Sequence, residues 1–406
     1  MHIGYFTHSP VRISETFIHD LVHALNERAE RLTFFSGASS GCQLPGIRVF
    51  ETGYFDRFET HSHRLHQIGQ AFRRQGDLLR FRYAQAGAAR VIRTYAEELT
   101  SIDAAFVEYG TSAALLAPTL RSFSIPYVVQ VHAFDVTTAF SSAHYKAAFL
   151  EAARHATAVT VVSDHIRRIL ILAGVAPETI HTVRLGIRSE GIEPLDWEAR
   201  RRRPPTLVHL GRLTEKKHPI ALLHAFDLVR REVPEARLAL IGDGPLRGEV
   251  ERRMDALGLR DAVTMYGAVG REVSFPVLNS SWVFAQHSVT SMTGDQEGFP
   301  VSPAEAALHA LPVVATAHSG LTENVVDGET GFLVQEHNFE AMGARIAHLM
   351  KHPEEAERMG RAGRERILAM CRPERHASQI LELLERAAGT RAGATKTGAP
   401  LALTSL

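Results

Sequence analysis

Short runs of apolar residues alternate with longer stretches of helical period along most of this 406-residue chain. "HIGYF" (2–6), "AAFVEY" (104–109), "YVVQVH" (127–132) and "AVTVVS" (158–163) read as strands, with helical stretches around 15–27, 84–99 and 143–155. That alternation predicts parallel strands joined by crossover helices. A second series begins at "TLVHLG" (206–211) and continues through "RLALIG" (237–242), "VTMYG" (263–267), "SWVFAQ" (281–286) and "LPVVAT" (311–316). The pattern therefore predicts two doubly wound α/β halves, over 1–187 and 206–372. Between them "RSEGIEPLDWEARRRRPP" (188–205) is charged, holds prolines and lacks periodicity, and it is expected to be a linker. The last 18 residues, 389–406, are small and polar and are expected to be mobile.

Composition narrows the picture by exclusion. A chain that is 45% hydrophobic and 22% charged has the balance of a globular protein. Its 45 basic residues cancel its 45 acidic ones, so no global field points to nucleic acid. Cys42 and Cys371 are the only cysteines, which supports neither a disulfide scaffold nor a cysteine-based metal site. The start, "MHIGYFTHSP", has no basic head followed by an apolar run, and no stretch approaches membrane-spanning length. A cytoplasmic location is expected.

Ligands of doubly wound sheets sit outside the carboxyl ends of the strands, so the residues just past each run carry the chemistry. In "GRLTEKKHP", Arg212 and Lys217 follow a strand and Gly211, a pattern suited to phosphate. "GDGP" (242–245) matches no nucleotide fingerprint and reads as a tight strand-to-helix turn. In "EGFPVSPAE" (297–305), Pro300 and Pro303 argue against one continuous helix. A loop carrying Glu297 and Gly298 would feed a helix with Ser302 as N-cap, Pro303 first and Glu305 third, a capping box. Free amides opening a helix make an anion site, so Glu305 has both a capping and a ligand reading. In the first half, "VHAFD" offers His132 and Asp135 just after a strand, where a lone histidine is more often structural than functional. "THSPVRISETF" supplies Arg12, Ser14 and Glu15, with Ser14 as a helix cap. "HSHRLH" (61–66) fits no common metal spacing, and no metal site is expected.

Over most of residues 1–388 these motifs resemble the family 4 glycosyltransferases, retaining nucleotide-sugar enzymes of the GT-B architecture. "GRLTEKK" (211–217), "GDGP", the two glutamates of 297–305 and "SGLTENVVDGETGFLV" (319–334) carry the resemblance in the second half. "SETFI" (14–18), "VHAFD" and "VVSDHIRRIL" (161–170) are similar to the exopolysaccharide and colanic-acid branch. Two features depart from the pattern: "THSPVRI" (7–13) lacks a glycine pair, and Arg188 stands where relatives often have aspartate.

The resemblance implies two facing Rossmann-like domains with a cleft between them and a C-terminal helix, 373–388, crossing back to the first. It implies a UDP- or GDP-sugar donor, no required cofactor or metal, and a glycan or lipid-linked acceptor in polysaccharide biosynthesis. Arg212 and Lys217 would neutralise the leaving diphosphate, aided by Gly211 and by the backbone at Gly298, Phe299 and Val301. Glu297 would hold sugar hydroxyls, Glu305 the ribose, and His132 would approach the sugar from the other domain. Arg12, Ser14, Glu15 and Asp135 fall on the acceptor side. A sugar-nucleotide epimerase and a non-catalytic nucleotide-sugar binder are the competing readings. Residues 57–93 add eight arginines against Glu59 and Asp77, interleaved with Phe58, Phe72, Leu78, Leu79 and Phe81. That stretch is either a solvated helical face or a peripheral contact with the anionic inner face of the plasma membrane.

Overall fold

The computed structural model describes residues 1–8, 16–38, 44–55 and 73–396. The chain forms two compact units, Met1–Gly186 with Pro373–Leu406, and Ile187–Arg372. The first is built on β1 (His2–Thr7), β2 (Arg31–Ser36), β3 (Arg48–Glu51), β4 (Ala104–Glu108), β5 (Tyr127–Val131), β6 (Ala158–Val161) and β7 (Ile180–Thr182). These form a sheet in the order β3-β2-β1-β4-β5-β6-β7, paired in parallel throughout. The second is built on β8 (Thr206–Leu210), β9 (Arg237–Ile241), β10 (Val263–Gly267), β11 (Val283–Gln286), β12 (Val313–Thr316) and β13 (Gly331–Val334). Its order is β10-β9-β8-β11-β12-β13, again parallel. Both sheets are doubly wound, as the alternating pattern predicts. In each, connections leave a central pair in opposite directions, at β1/β4 and at β8/β11, which opens a crevice at the carboxyl ends of those strands.

Helices cover the sheets, so central strands such as β1 are buried along their whole length. In the first unit Tyr5 stacks on Phe34 at 5.3 Å between centroids and meets Phe106 at a tilt at 5.2 Å. The helix Pro373–Lys396 adds Ile380, Leu383, Leu384 and Ala387 to that same core. It runs past 388 into the segment expected to be mobile, because its small residues are helix-compatible although they make no apolar stripe; residues 397–406 lie outside the described residues.

The segment expected to be a linker also holds structure. Trp197–Arg201 form a short helix, with Asp196 capping the Glu198 amide at 3.3 Å. Trp197 meets Trp282 edge to face at 6.1 Å, and the Arg200 guanidinium lies 5.1 Å from the Trp197 ring centroid. Arg200 is fully buried, and its Nε, Nη1 and Nη2 donate to the carbonyls of Asn279, Ala310 and His309. Four consecutive arginines concealed this in the sequence, since only one of them turns inward.

Candidate functional site

The crevice of the second sheet begins where β8 ends. Gly211 is pressed against Gly242, whose φ is +132° and whose Cβ, were one present, would lie 2.0 Å from the Gly211 carbonyl oxygen. The turn expected at "GDGP" thus holds the "GRLTEKK" loop from beneath. Arg212 is exposed, and its side chain makes no hydrogen bond or ion pair with another described residue. The next residues tighten into a single turn, Glu215–Lys217, and all three side chains grip one loop, 288–297. Glu215 accepts the Met292 amide at 2.7 Å, and Lys216 binds Asp295 at 2.9 Å and the Gln296 carbonyl at 3.1 Å. Lys217 reaches Glu297, Nζ to Oε1, at 3.0 Å.

Glu297 is 5% exposed, and a chain of hydrogen bonds feeds it. Ser302 Oγ donates to Gln286 Oε1 at 3.1 Å, Gln286 Nε2 to Ser288 Oγ at 2.9 Å, and Ser288 Oγ to Glu297 Oε1 at 2.9 Å. Its backbone is held as well. The Glu297 amide donates to His318 Nε2 at 3.2 Å, so His318 carries its proton on Nδ1 and gives it to Glu336 at 2.8 Å. Burial alone would raise the Glu297 carboxyl, but the ammonium of Lys217, then that of Lys216, carries it down to about 2. Burial pulls Lys217 below the usual lysine range, with Glu297 opposing. Beneath the pair, burial holds His209 neutral at about 4; its Nδ1–H donates to the Ala285 carbonyl at 3.0 Å.

The helix after this loop starts earlier than the proline pattern suggests. It spans Val301–Leu308 with Pro300 as its cap, so Ser302 lies inside it and the expected capping box does not form. The reason is side-chain competition: Ser302 serves Gln286, and Asn324 Nδ2 holds the Pro300 carbonyl at 2.7 Å. Glu305 instead pairs with Arg271 at 3.0 Å. Burial raises the Glu305 carboxyl, and Arg271 only partly offsets that. Gly298 packs its carbonyl against Gly320, where an added Cβ would stand 1.7 Å from the oxygen. Phe299 is buried behind it. The second unit thus brings together Gly211, Lys217, Glu297, Gly298, Phe299 and the start of the Val301 helix, with Arg212 on their rim.

In the first unit, His132 follows β5 and its Nε2 meets Glu108 at 2.6 Å; Glu108 also accepts the Tyr5 hydroxyl. Asp135 is fully buried and spends its carboxylate on the amides of His132 at 2.9 Å and Thr111 at 3.2 Å. Burial raises its pKa, with the charge of His132 opposing. Arg12, Ser14 and Glu15 lie outside the described residues, as does "HSHRLH". Sequence reading missed Glu108, Gln286, Ser288, Arg271, His318 and Glu336. The signal for three of them was a polar residue in or directly after an otherwise apolar strand.

In fold the chain matches the Anabaena protein HepE solved with UDP, at a TM-score of 0.75 and 18% identity, over 95% of this chain and 100% of that one. This is the GT-B class of two doubly wound units. In sequence, the pattern described as Glycosyltransferase Family 4 matches residues 14–190, and that described as Glycosyl transferases group 1 matches 196–366. The chain belongs to family 4 of the glycosyltransferases. It is similar to a putative colanic acid biosynthesis glycosyltransferase, WcaL, of Salmonella typhimurium: 26% identical over 283 residues, covering 69% of this chain and 68% of that one. It is also similar to a GDP-mannose-dependent alpha-(1-6)-phosphatidylinositol monomannoside mannosyltransferase of Mycolicibacterium smegmatis, 32% identical over 182 residues, covering 44% of this chain and 47% of that one.

Proposed function

We propose that this enzyme moves a sugar, with retention, from a UDP- or GDP-sugar to a glycan or lipid-linked acceptor during polysaccharide assembly. The observation that carries the reading is the Lys217–Glu297 pair at 3.0 Å beside the exposed Arg212, at the carboxyl edge of a doubly wound sheet. Lys217 has three donors and spends one on Glu297, leaving two for a diphosphate. Arg212 completes the clamp. As the bond from the anomeric carbon to the phosphate oxygen breaks, negative charge grows on the departing diphosphate, and fixed cations stabilise it there. The acceptor oxygen bonds to the same face of that carbon, and its proton passes to the leaving phosphate. Glu297 is proposed to hold sugar hydroxyls, Glu305 the ribose, and His132 to act on the sugar from the first unit. With two cations supplying the charge, the step is proposed to run without a metal.

The proposed setting is the cytoplasm, at a membrane. No helix among the described residues is long and apolar enough to cross one. The helix Arg73–Arg93 instead presents Leu79 and Tyr83, 68% and 65% exposed, on the same side as the exposed Arg82, Arg90 and Arg93. That composition suits reversible docking on anionic lipid.

The test uses UDP-glucose, UDP-galactose, UDP-N-acetylglucosamine and GDP-mannose, each scored for thermal stabilisation and for release of nucleoside diphosphate. At least one should raise the melting temperature and be turned over slowly to water, and Lys217→Ala should abolish both effects. No shift and no release with any of them would overturn the proposal.

A further inference from the structure

The diphosphate clamp leaves one buried ionisable side chain beside it unused. His209 is the fourth residue of β8 and is wholly buried among apolar neighbours in the strand. A buried imidazole is costly unless both of its nitrogens are engaged. Here one is. Nδ1 lies 3.0 Å from the Ala285 carbonyl oxygen, which can only accept, so Nδ1 carries the ring proton. Nε2 keeps its lone pair, and it has no hydrogen-bond partner among the described residues.

What the lone pair faces follows from the strand. Side chains two apart share a face, and two on from His209 comes Gly211, whose amide still bonds to the Ile241 carbonyl as the ladder would have it. A Cβ on Gly211 would stand 3.3 Å from His209 Nε2 and 3.6 Å from Lys217 Cε. The imidazole and the end of the lysine stem therefore border one gap, open because residue 211 has no side chain. The tautomer fixes the direction of the ring dipole across it: the N–H end points to Ala285 and the negative Nε2 end toward the gap. The charges of Lys217 and Glu297 both bear on His209. Those that bear on Lys217 are Glu297 from the loop 288–297, and Lys216 and Arg212 from its own loop. Glu297 favours the charged ammonium, while burial and the two neighbouring cations oppose it.

We infer that His209 is a positioning residue for Lys217: the lone pair of its neutral imidazole keeps the lysine ammonium charged and in place for the diphosphate. The assignment rests on the clamp proposed above. Burial favours the uncharged amine, which neither attracts a diphosphate nor offsets the charge that grows on it. An acceptor facing the ammonium favours the charged form, as any hydrogen-bonding group does for the state it can bind. Glu297 gives the same help, but its carboxylate is also proposed to hold sugar hydroxyls. Nε2 of His209 has no competing partner among the described residues. With burial holding its pKa at about 4, the imidazole stays neutral and the lone pair stays free across neutral pH.

Titration calorimetry of the full chain with UDP and with GDP, at a series of pH values from neutral to about 10.5, tests this. In wild type the affinity for at least one nucleotide should fall on the alkaline side, as Lys217 gives up its proton. His209→Phe keeps a ring where the imidazole stacks on Phe284, 6.4 Å between centroids, but offers no lone pair. Its fall should begin about one pH unit lower, leaving up to about 10-fold weaker binding at the alkaline end. His209→Gln restores an acceptor and should move the fall back toward wild type. Lys217→Arg, whose cation keeps its proton throughout, should show no such fall with either His or Phe at position 209. Should His209→Phe fail to fold, His209→Leu carries the same comparison. An alkaline fall unmoved in the folded variant, a glutamine variant that behaves as the phenylalanine one, or a shift that persists beside Lys217→Arg would each overturn the inference. Wild type that binds neither nucleotide at any pH sinks the donor assignment and the inference with it, whereas binding whose pH dependence ignores residue 209 sinks only the positioning role.

Discussion

At the residue scale the site turns on charges that are paired before any substrate arrives. Lys217 and Glu297 compensate each other in a buried position where either alone would be costly. Glu297, at about 2 against an ordinary 4.5, is ionised in the folded state at a pH where the unfolded chain takes up a proton. The stability it contributes is therefore complete above about pH 4.5 and is lost as the pH falls toward 2. Urea titrations of wild type and Glu297→Gln should show the wild-type advantage shrinking across that window; a gap that stays constant would mean the carboxylate is not held by its neighbours. Arg212 poses the opposite case. Being exposed and unpaired among the described residues, it can be removed with little effect on stability, within about 0.5 kcal/mol. Arg212→Ala should nonetheless lower turnover about 10- to 150-fold, the loss of one charge-assisted hydrogen bond, and near-normal turnover at saturating donor would remove it from the diphosphate clamp. Glu305→Gln should weaken nucleotide binding while leaving the helix start intact, because the cap is made without it. Arg212, Lys217 and Glu297 were legible in the sequence as charges beside glycines or just past a strand, and Glu305 as a carboxylate in the first turn of the next helix. Arg271 and His318 were not, since each lies in another element and meets its glutamate only once the sheet has closed.

At the scale of elements, the turn Glu215–Lys217 and the loop 288–297 behave as one body, because three successive side chains of the turn bind the loop. Opposite them, Gly298 and Gly320 touch backbone to backbone. Gly320→Ala should push the loop away from its seat. The expected cost is about 1–3 kcal/mol of stability, with a larger loss of donor affinity than of fold; calorimetry with and without UDP or GDP measures both, and an unchanged affinity would show that the loop position does not matter for binding. Nine of the thirteen described strands were plain in the sequence as largely apolar runs, whereas β2, β3, β7 and β13, short or broken by polar residues, were not. The helix starts were less so: in "EGFPVSPAE" the capping pattern points to Ser302, whereas the helix begins at Val301 because Ser302 and the Pro300 carbonyl are engaged by Gln286 and Asn324. The helix Arg73–Arg93 shows the limit of periodicity, its exposed Leu79 and Tyr83 breaking the expected contrast of faces. Flotation with anionic vesicles should recover the protein and fail as salt rises, each basic side chain adding about 1 kcal/mol at low salt. Equal recovery with neutral vesicles would exclude charge as the cause.

At the scale of the whole molecule, two sheets of the same winding order differ at their carboxyl ends: Arg212 and Lys217 follow β8 in the second, while the rings of His8, Tyr109 and His132 follow β1, β4 and β5 in the first and touch one another in a row. Their aromatic content is divided just as sharply. Both tryptophans of the chain, Trp197 and Trp282, lie in the second unit, packed edge to face around the buried Arg200. Of the eight tyrosines, all but Tyr266 lie in the first. Each unit therefore carries its own optical label. Tryptophan emission follows the melting of the second unit alone, and tyrosine absorbance follows almost entirely that of the first. A nucleotide at a hundred times its Kd should move the first signal by about 2.7 kcal/mol, and the second only as far as the two units unfold together.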